Sequence, residues 1–193
     1  MAAARSLAWD VPLHDLNTFH LDARAHCLAT VHDAAALPAL LAEPALQELP
    51  AMVLGAGSNV LFATERFEGC LVHLQPHSAR ILGDDGDHVL VHVDAGFEWD
   101  ALVDWTLDRG LQGLENLALI PGQAGAAPIQ NIGAYGVEVG TFIAAVRCYD
   151  RQTATFDRLP PERCGFGYRD SVFKREQDRR IVTAIELRLP KAG

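Results

Sequence analysis

Between Pro121 and Gly136 the chain reads PGQAGAAPIQNIGAYG, a run of small residues without a charged side chain. Gly122, Gly125, Gly133 and Gly136 are interleaved with Ala124, Ala126, Ala127 and Ala134. Glycine permits φ > 0 and lets a backbone approach a ligand closely. One reading of the run is therefore a surface of bare N–H groups facing phosphate oxygens or a flat ring. The other is a tight, mobile surface loop. The apolar LENLALI before it favours a loop held against a core. Gln130, Asn131 and Tyr135 add neutral hydrogen-bonding groups at its far end.

What surrounds this loop is bounded by length and charge. With 193 residues, 49% of them hydrophobic, the chain can build one large or two small cores. No window is long and apolar enough to span a membrane. The opening MAAARSLAWDVPLHDL has no sustained apolar run, so a signal peptide is not expected, and the cytoplasm is the expected location. A net charge of −9 argues against a nucleic-acid-binding surface. Cys27, Cys70, Cys148 and Cys164 lack metal-ligand spacing and read as buried or half-buried reduced thiols. His88 and His92 share one strand face, but two histidines do not make a zinc site, and no metal is expected.

Taken in order, Asn17–Leu21 alternates like a short strand or edge. Asp33 to Leu49 reads as a helix capped by Asp33 and broken at Pro38 and Pro44. Ala51–Leu54 makes a short buried strand that runs into Gly55-Ala56-Gly57-Ser58-Asn59, a strand-to-phosphate-loop junction. It is not the dinucleotide fingerprint, because the third glycine would fall at Val60 and no helical pattern follows. Strands are expected at Leu71–Leu74 and His88–Val93, around a turn at Gly83–Asp87. A helix spans Glu98 to Arg109, with Trp99, Leu102, Val103 and Thr106 on one face and Gly110 ending it. Ala144–Tyr149 and Thr153–Leu159 form a hairpin, and Ile181–Leu189 alternates as a last strand.

The segment GFGYRDSVFK, from Gly165 to Lys174, stands apart. Arg169 beside Asp170 reads either as a structural ion pair or as a guanidinium fork set to receive a carboxylate, with Tyr168 next to it.

GAGSNVL, GLENLALIPG, PIQNIGAYG and GYRDSVFK, in this order, resemble the UDP-N-acetylenolpyruvoylglucosamine reductase family, the flavoenzymes also called UDP-N-acetylmuramate dehydrogenases. NTFHLDARA near the start is similar to that family's opening motif, and the likeness runs from about Leu16 to Pro190. The resemblance implies an α+β fold, the two-subdomain FAD-binding fold of the vanillyl-alcohol oxidase (PCMH) type. Residues 1–70 would form the first subdomain and 71–193 the second, with FAD between them. Gly55, Ala56, Gly57, Ser58 and Asn59 would cradle the pyrophosphate. Pro121, Gly122, Gly125, Ala126, Ala127, Gln130, Asn131, Gly133 and Ala134 would line the flavin.

It also implies that NADPH reduces FAD and that hydride then passes to the enolpyruvyl group of a UDP-sugar, in peptidoglycan precursor synthesis. Arg169 would stabilise the enolate that forms, while Tyr135 and Tyr168 hold the substrate. Two departures stand out. Ala126-Ala127 replaces a small polar pair, which removes two hydroxyl contacts but leaves backbone donors. No motif matches the family's third, substrate-binding domain with its serine proton donor and glutamate. That domain is expected to be absent or supplied by another chain, and Ser171 is not the donor. The alternative reading is an FAD-binding module without turnover of its own; another FAD oxidoreductase of the superfamily is disfavoured by GYRDSVFK.

Overall fold

The computed structural model describes residues 4–176 and 178–192. They belong to two compact units, Met1–Pro76 and His77–Gly193. Among the described residues no helix is long and apolar enough to cross a membrane.

The first unit contains β1 (Arg5–Pro12), β2 (Arg24–Val31), α1 (Leu37–Leu41), β3 (Ala51–Val53) and β4 (Arg66–Leu74). Its sheet has the order β1-β2-β4-β3. β1 pairs antiparallel with β2, while β4 lies parallel to both β2 and β3. Along β2, Ala25, Cys27, Ala29 and Val31 alternate inward, the period of a strand with one buried face. Leu13, Ala23, Ala25, Leu54 and Leu71 form one core cluster of this unit. Because β4 continues through Leu74, a boundary at residue 70 would cut a strand, and the division falls after it.

Asn17–Leu21 is not a strand. It follows a 3-10 turn at His14–Leu16 and folds back on itself, because the Asn17 side chain captures local backbone groups. The stretch from Asp33 is broken as expected. Asp33 caps a 3-10 turn at Ala34–Ala36 by accepting from the Ala35 N–H, α1 follows, and Pro44 opens another turn. β3 is an edge strand with Val53 exposed rather than a buried one; only Leu54, after it, is fully inside.

The second unit contains β5 (Ala79–Asp84), β6 (His88–Asp94), α2 (Trp99–Leu107), β7 (Gly133–Ala134), β8 (Val137–Glu138), β9 (Ile143–Asp150), β10 (Thr155–Leu159), α3 (Pro161–Cys164), α4 (Val172–Arg175) and β11 (Arg180–Pro190). Five strands form an antiparallel sheet of order β10-β9-β11-β6-β5, and β7 and β8 form a separate small hairpin. α2 buries Trp99, Leu102, Val103 and Thr106, the expected face, and packs with Val91, Val93, Ile185 and Leu187 in one core. The Trp99 indole N–H donates to the Leu117 carbonyl at 2.9 Å, which ties the helix to the segment leading into the glycine-rich loop. Gly110 takes φ +65 after the helix, and the Leu111 N–H returns to the Thr106 carbonyl. β5 is an edge strand that reaches into the Gly83–Asp87 stretch expected to be only a turn.

Candidate functional site

In the first unit the loop Gly55–Asn59 leaves the edge strand β3 at a fixed point. The Leu54 N–H bonds the Val72 carbonyl at 2.9 Å, and the Leu54 carbonyl faces His73 Nδ1 at 3.0 Å. Beyond that anchor the Gly55 and Ala56 N–H groups have no acceptor among the described residues, and Ala56 and Asn59 are exposed. Two adjacent unpaired donors after a strand suit phosphate oxygens.

Gly57 has a different reason to be glycine. It is buried at φ +67, and a Cβ there would stand 2.1 Å from the Leu16 carbonyl oxygen and 2.8 Å from Asn17 Cα. The need is imposed by the chain's own Leu13–Leu21 loop, so a bulky residue at Gly57 would damage that loop whether or not a ligand binds. Asn17 holds the loop together. Its amide donates to the Leu13 and Leu21 carbonyls at 2.7 and 3.2 Å and accepts the Leu21 N–H at 3.0 Å.

In the second unit the loop from Pro121 is less bare than its composition suggests. The N–H groups of Ala124 and Gly125 donate to the Phe97 and Ala95 carbonyls, and those of Ala126 and Ala127 to the Gln123 and Ala124 carbonyls. These four donors are spent on the protein, which corrects the expectation that backbone N–H groups here face a ligand. Gly125 is buried, and a Cβ there would lie 2.6 Å from that of Ala95. Ala127 and Asn131 are buried too, so Gly125, Ala127 and Asn131 shape the loop from within. Pro121 and Ala126 are exposed, and Gly122, Gln130, Gly133 and Ala134 are half-exposed.

Tyr135 and Gly136 form the two-residue turn of the β7–β8 hairpin, at φ +51 and +80. Positive φ at both positions is the hairpin turn that matches strand twist. A tyrosine in that conformation is unusual, and its ring is 89% exposed. Tyr168 and Arg169 form a second such tip. The Gly167 and Asp170 N–H groups each donate to the other residue's carbonyl, at 3.0 and 3.1 Å, and Arg169 sits at φ +53. Tyr168 is 85% exposed.

The neighbours of Arg169 remove one of its two readings, the ion pair with Asp170. Asp170 pairs with Arg175, not with Arg169. Arg169 Nη2 donates to the Gly133 carbonyl at 2.7 Å, and among the described residues the guanidinium has no carboxylate partner. Lys174 Nζ donates to the Arg169 carbonyl at 2.9 Å and so steadies the tip from behind. Ser171 is fully buried. Its hydroxyl donates to the Ile129 carbonyl at 2.5 Å and caps α4 by accepting the Lys174 N–H. That hydroxyl is committed to the Ile129 carbonyl and the α4 cap.

Perturbed carboxylates elsewhere serve the sheet. Burial would raise the Glu186 carboxyl, but Arg158 and Arg147, whose nitrogens lie 2.6 and 2.7 Å away, outweigh it and lower it. Burial acts the same way on Asp150, and Arg179 again overcomes it. All four cysteines are buried and free. His92 Nε2 is 3.0 Å from Asp94 Oδ1, a strand pair rather than a ligand set. His14, Asp15 and His20 form an exposed group of ligand-type side chains in the Leu13–Leu21 loop.

A fold with one mixed sheet followed at β3 by a glycine-rich loop and one antiparallel sheet carrying a small-residue loop matches a known class. Residues 25–155 fit the family model described as FAD binding domain, and the chain belongs to that family. Its similarity is stronger to one group of enzymes. It is 50% identical over 98% of its length to the UDP-N-acetylenolpyruvoylglucosamine reductase of Xanthomonas campestris pv. campestris (strain 8004), and 46% identical to that of Xanthomonas oryzae pv. oryzae (strain PXO99A). It covers 55% of each, so the chain spans about half the length of these curated relatives. The crystal structure of the Thermus caldophilus reductase superposes with a TM-score of 0.75 at 29% identity, over 98% of this chain and 63% of that one. A solvent-stable cholesterol oxidase shares the fold, with a TM-score of 0.68 at 13% identity, over 97% of this chain and 38% of its own. The α+β architecture in two units is thus the FAD-binding fold of the vanillyl-alcohol oxidase type.

Proposed function

We propose that this chain is the FAD-binding part of a UDP-N-acetylenolpyruvoylglucosamine reductase, acting in peptidoglycan precursor synthesis in the cytoplasm. The observation that carries the proposal is the guanidinium of Arg169. It is exposed on a strained two-residue tip with no carboxylate of the protein beside it. Backbone strain of this kind is retained where a side chain must be aimed. Four buried free thiols suit a reducing compartment.

The residues fit the cofactor. The free N–H groups of Gly55 and Ala56, with Ser58 and Asn59 beside them, would take the pyrophosphate. Gly122, Ala126, Gln130, Gly133 and Ala134 present the accessible surface for the flavin ring, with Pro121 at its start. Gly57, Gly125, Ala127 and Asn131 give both loops their shape. FAD held there would supply hydride-transfer chemistry between NADPH and the enolpyruvyl double bond.

Arg169 binds the carboxylate of the UDP-sugar and stabilises the negative charge that spreads into it, a task for a fixed cation at a developing oxyanion. Its bond to the Gly133 carbonyl sets the direction of the guanidinium and leaves other N–H donors for the substrate. Tyr135 and Tyr168, on their exposed tips, hold the sugar or nucleotide.

Arg169→Ala is the test. In a full-length, FAD-loaded protein carrying this chain, anaerobic reoxidation of the reduced flavin by the enolpyruvyl UDP-sugar should slow by roughly a hundredfold. Reduction by NADPH should be unchanged. Equal loss in both half-reactions would assign Arg169 to holding the Gly133 carbonyl alone. FAD binding without substrate-linked reoxidation in the parent protein would support the module reading instead.

A further inference from the structure

We infer that Asn131 is the positioning residue of Arg169, setting the arginine tip through the Gly167 carbonyl without touching substrate; this rests on the reading of Arg169 above. Asn131 is 1% exposed, and both polar atoms of its side chain are fully used. Its amide nitrogen donates to Glu138 Oε2 at 2.7 Å and to the Gly167 carbonyl at 3.0 Å, and its oxygen accepts the Gly140 N–H at 2.9 Å. One side chain therefore joins the glycine-rich loop, the β7–β8 hairpin and the first residue of the Gly167–Asp170 tip.

The Gly167 carbonyl also accepts the Asp170 N–H that closes the tip. Holding that oxygen fixes the base on which Tyr168 and Arg169 stand. Ser171, bonded to the Ile129 carbonyl, anchors the other side, and Arg169 itself reaches the Gly133 carbonyl. The residue type is constrained as well. Asn131 lies at φ +44, a region asparagine and aspartate tolerate better than most side chains. A donor is required toward two oxygens at once, which only the amide of asparagine supplies at this length.

Two variants separate positioning from general stability. Asn131→Asp removes the donor and sets a carboxylate against Glu138 and the Gly167 carbonyl. Adding Glu138→Gln restores a hydrogen bond at residue 138 but leaves the Gly167 carbonyl without its side-chain donor. The measurement is the ratio of affinities of the FAD-loaded protein for the enolpyruvyl UDP-sugar and for UDP-N-acetylglucosamine, which lacks the carboxylate. The double variant should regain most of the melting temperature lost by Asn131→Asp. Its affinity ratio should still fall about tenfold, the worth of a charge-assisted contact, while UDP-N-acetylglucosamine binds as in the parent. A double variant with the parent's ratio overturns the inference. If Arg169→Ala also keeps the parent's ratio, or the parent binds neither compound, the reading of Arg169 itself fails, and the two failures are told apart.

Discussion

Gly57 and Gly110 have nearly the same backbone, φ +67 and +65, but opposite surroundings. A Cβ on Gly110 would meet nothing within 4 Å, whereas one on Gly57 would meet the Leu16 carbonyl at 2.1 Å. Alanine at either position bears the cost of a left-handed L-residue, about 1–2 kcal/mol. At Gly57 it must also push the Leu13–Leu21 loop aside by roughly 1 Å, and overpacking on that scale costs about 1–3 kcal/mol more. Gly57→Ala should therefore lose about 2–5 kcal/mol, against about 1–2 for Gly110→Ala. Urea unfolding of the two variants, followed by far-UV circular dichroism, measures both terms, and their difference isolates the steric one. Equal losses would refute the argument that Gly57 is glycine because of Leu16.

Two further outcomes follow from the buried ionisable groups. Burial pushes Cys70 and Cys148 up to about 12 and Cys164 to about 11, and raises Cys27 as well. Thiolate is the reactive form, so none of the four should react with iodoacetamide at pH 8 until urea unfolds the protein; alkylation of the native state at the rate of free cysteine would contradict this. Burial alone would raise Asp94, but hydrogen bonds with His92 and Ser78 outweigh it and hold the carboxyl at about 2. A depressed carboxyl stabilises the fold fully above its unfolded value near 3.8, and that stability drains away as pH falls toward 2. About 2 kcal/mol should be lost across that window, and Asp94→Asn should flatten this part of the acid-unfolding curve; an unchanged slope would rule the pair out as its source.

Much of the second unit was legible because its signals are local. α2 shows its buried face in Trp99, Leu102, Val103 and Thr106, and Gly110 marks its end. β11 alternates in sequence from Ile185 to Leu189 and lies at the centre of the sheet, where its burial is nearly continuous. The first unit was harder. The alternation of β2 runs through small alanines, so its strand is weaker in hydrophobic contrast than Asn17–Leu21, which only mimics one. What distinguishes them is Asn17, a side chain that competes for backbone groups and closes a loop. β3 reads as buried from composition, yet its edge place depends on pairing that no local pattern reveals.

At the candidate sites, the motifs do not say which backbone groups stay free. Glycine and alanine content says that a backbone is accessible. It does not say that Phe97 and Ala95 already accept the N–H groups of Ala124 and Gly125. The Tyr135-Gly136 turn escaped notice because tyrosine is a rare first residue for it, where asparagine would have announced it. Glu138 lies outside every motif and Lys174 only ends one, and their roles appear only once the segments meet.

The three bonds that lock Ile129–Gly133 to Gly167–Ser171 all end on main-chain oxygens. Every chain carries those acceptors whatever its side chains, so the lock is specified by its donors alone: Asn131, Arg169 and Ser171. Mutational drift at the acceptor positions meets no resistance from the lock itself. Gly167, whose added Cβ would only touch Asp170 Cβ at 4.0 Å, can become alanine without breaking it. Gly133 is held by a separate demand, since its Cβ would stand 2.9 Å from the Val137 carbonyl. For these three bonds, then, the heritable requirement falls on the three donor codons, and the acceptor residues contribute only the main chain that every residue has.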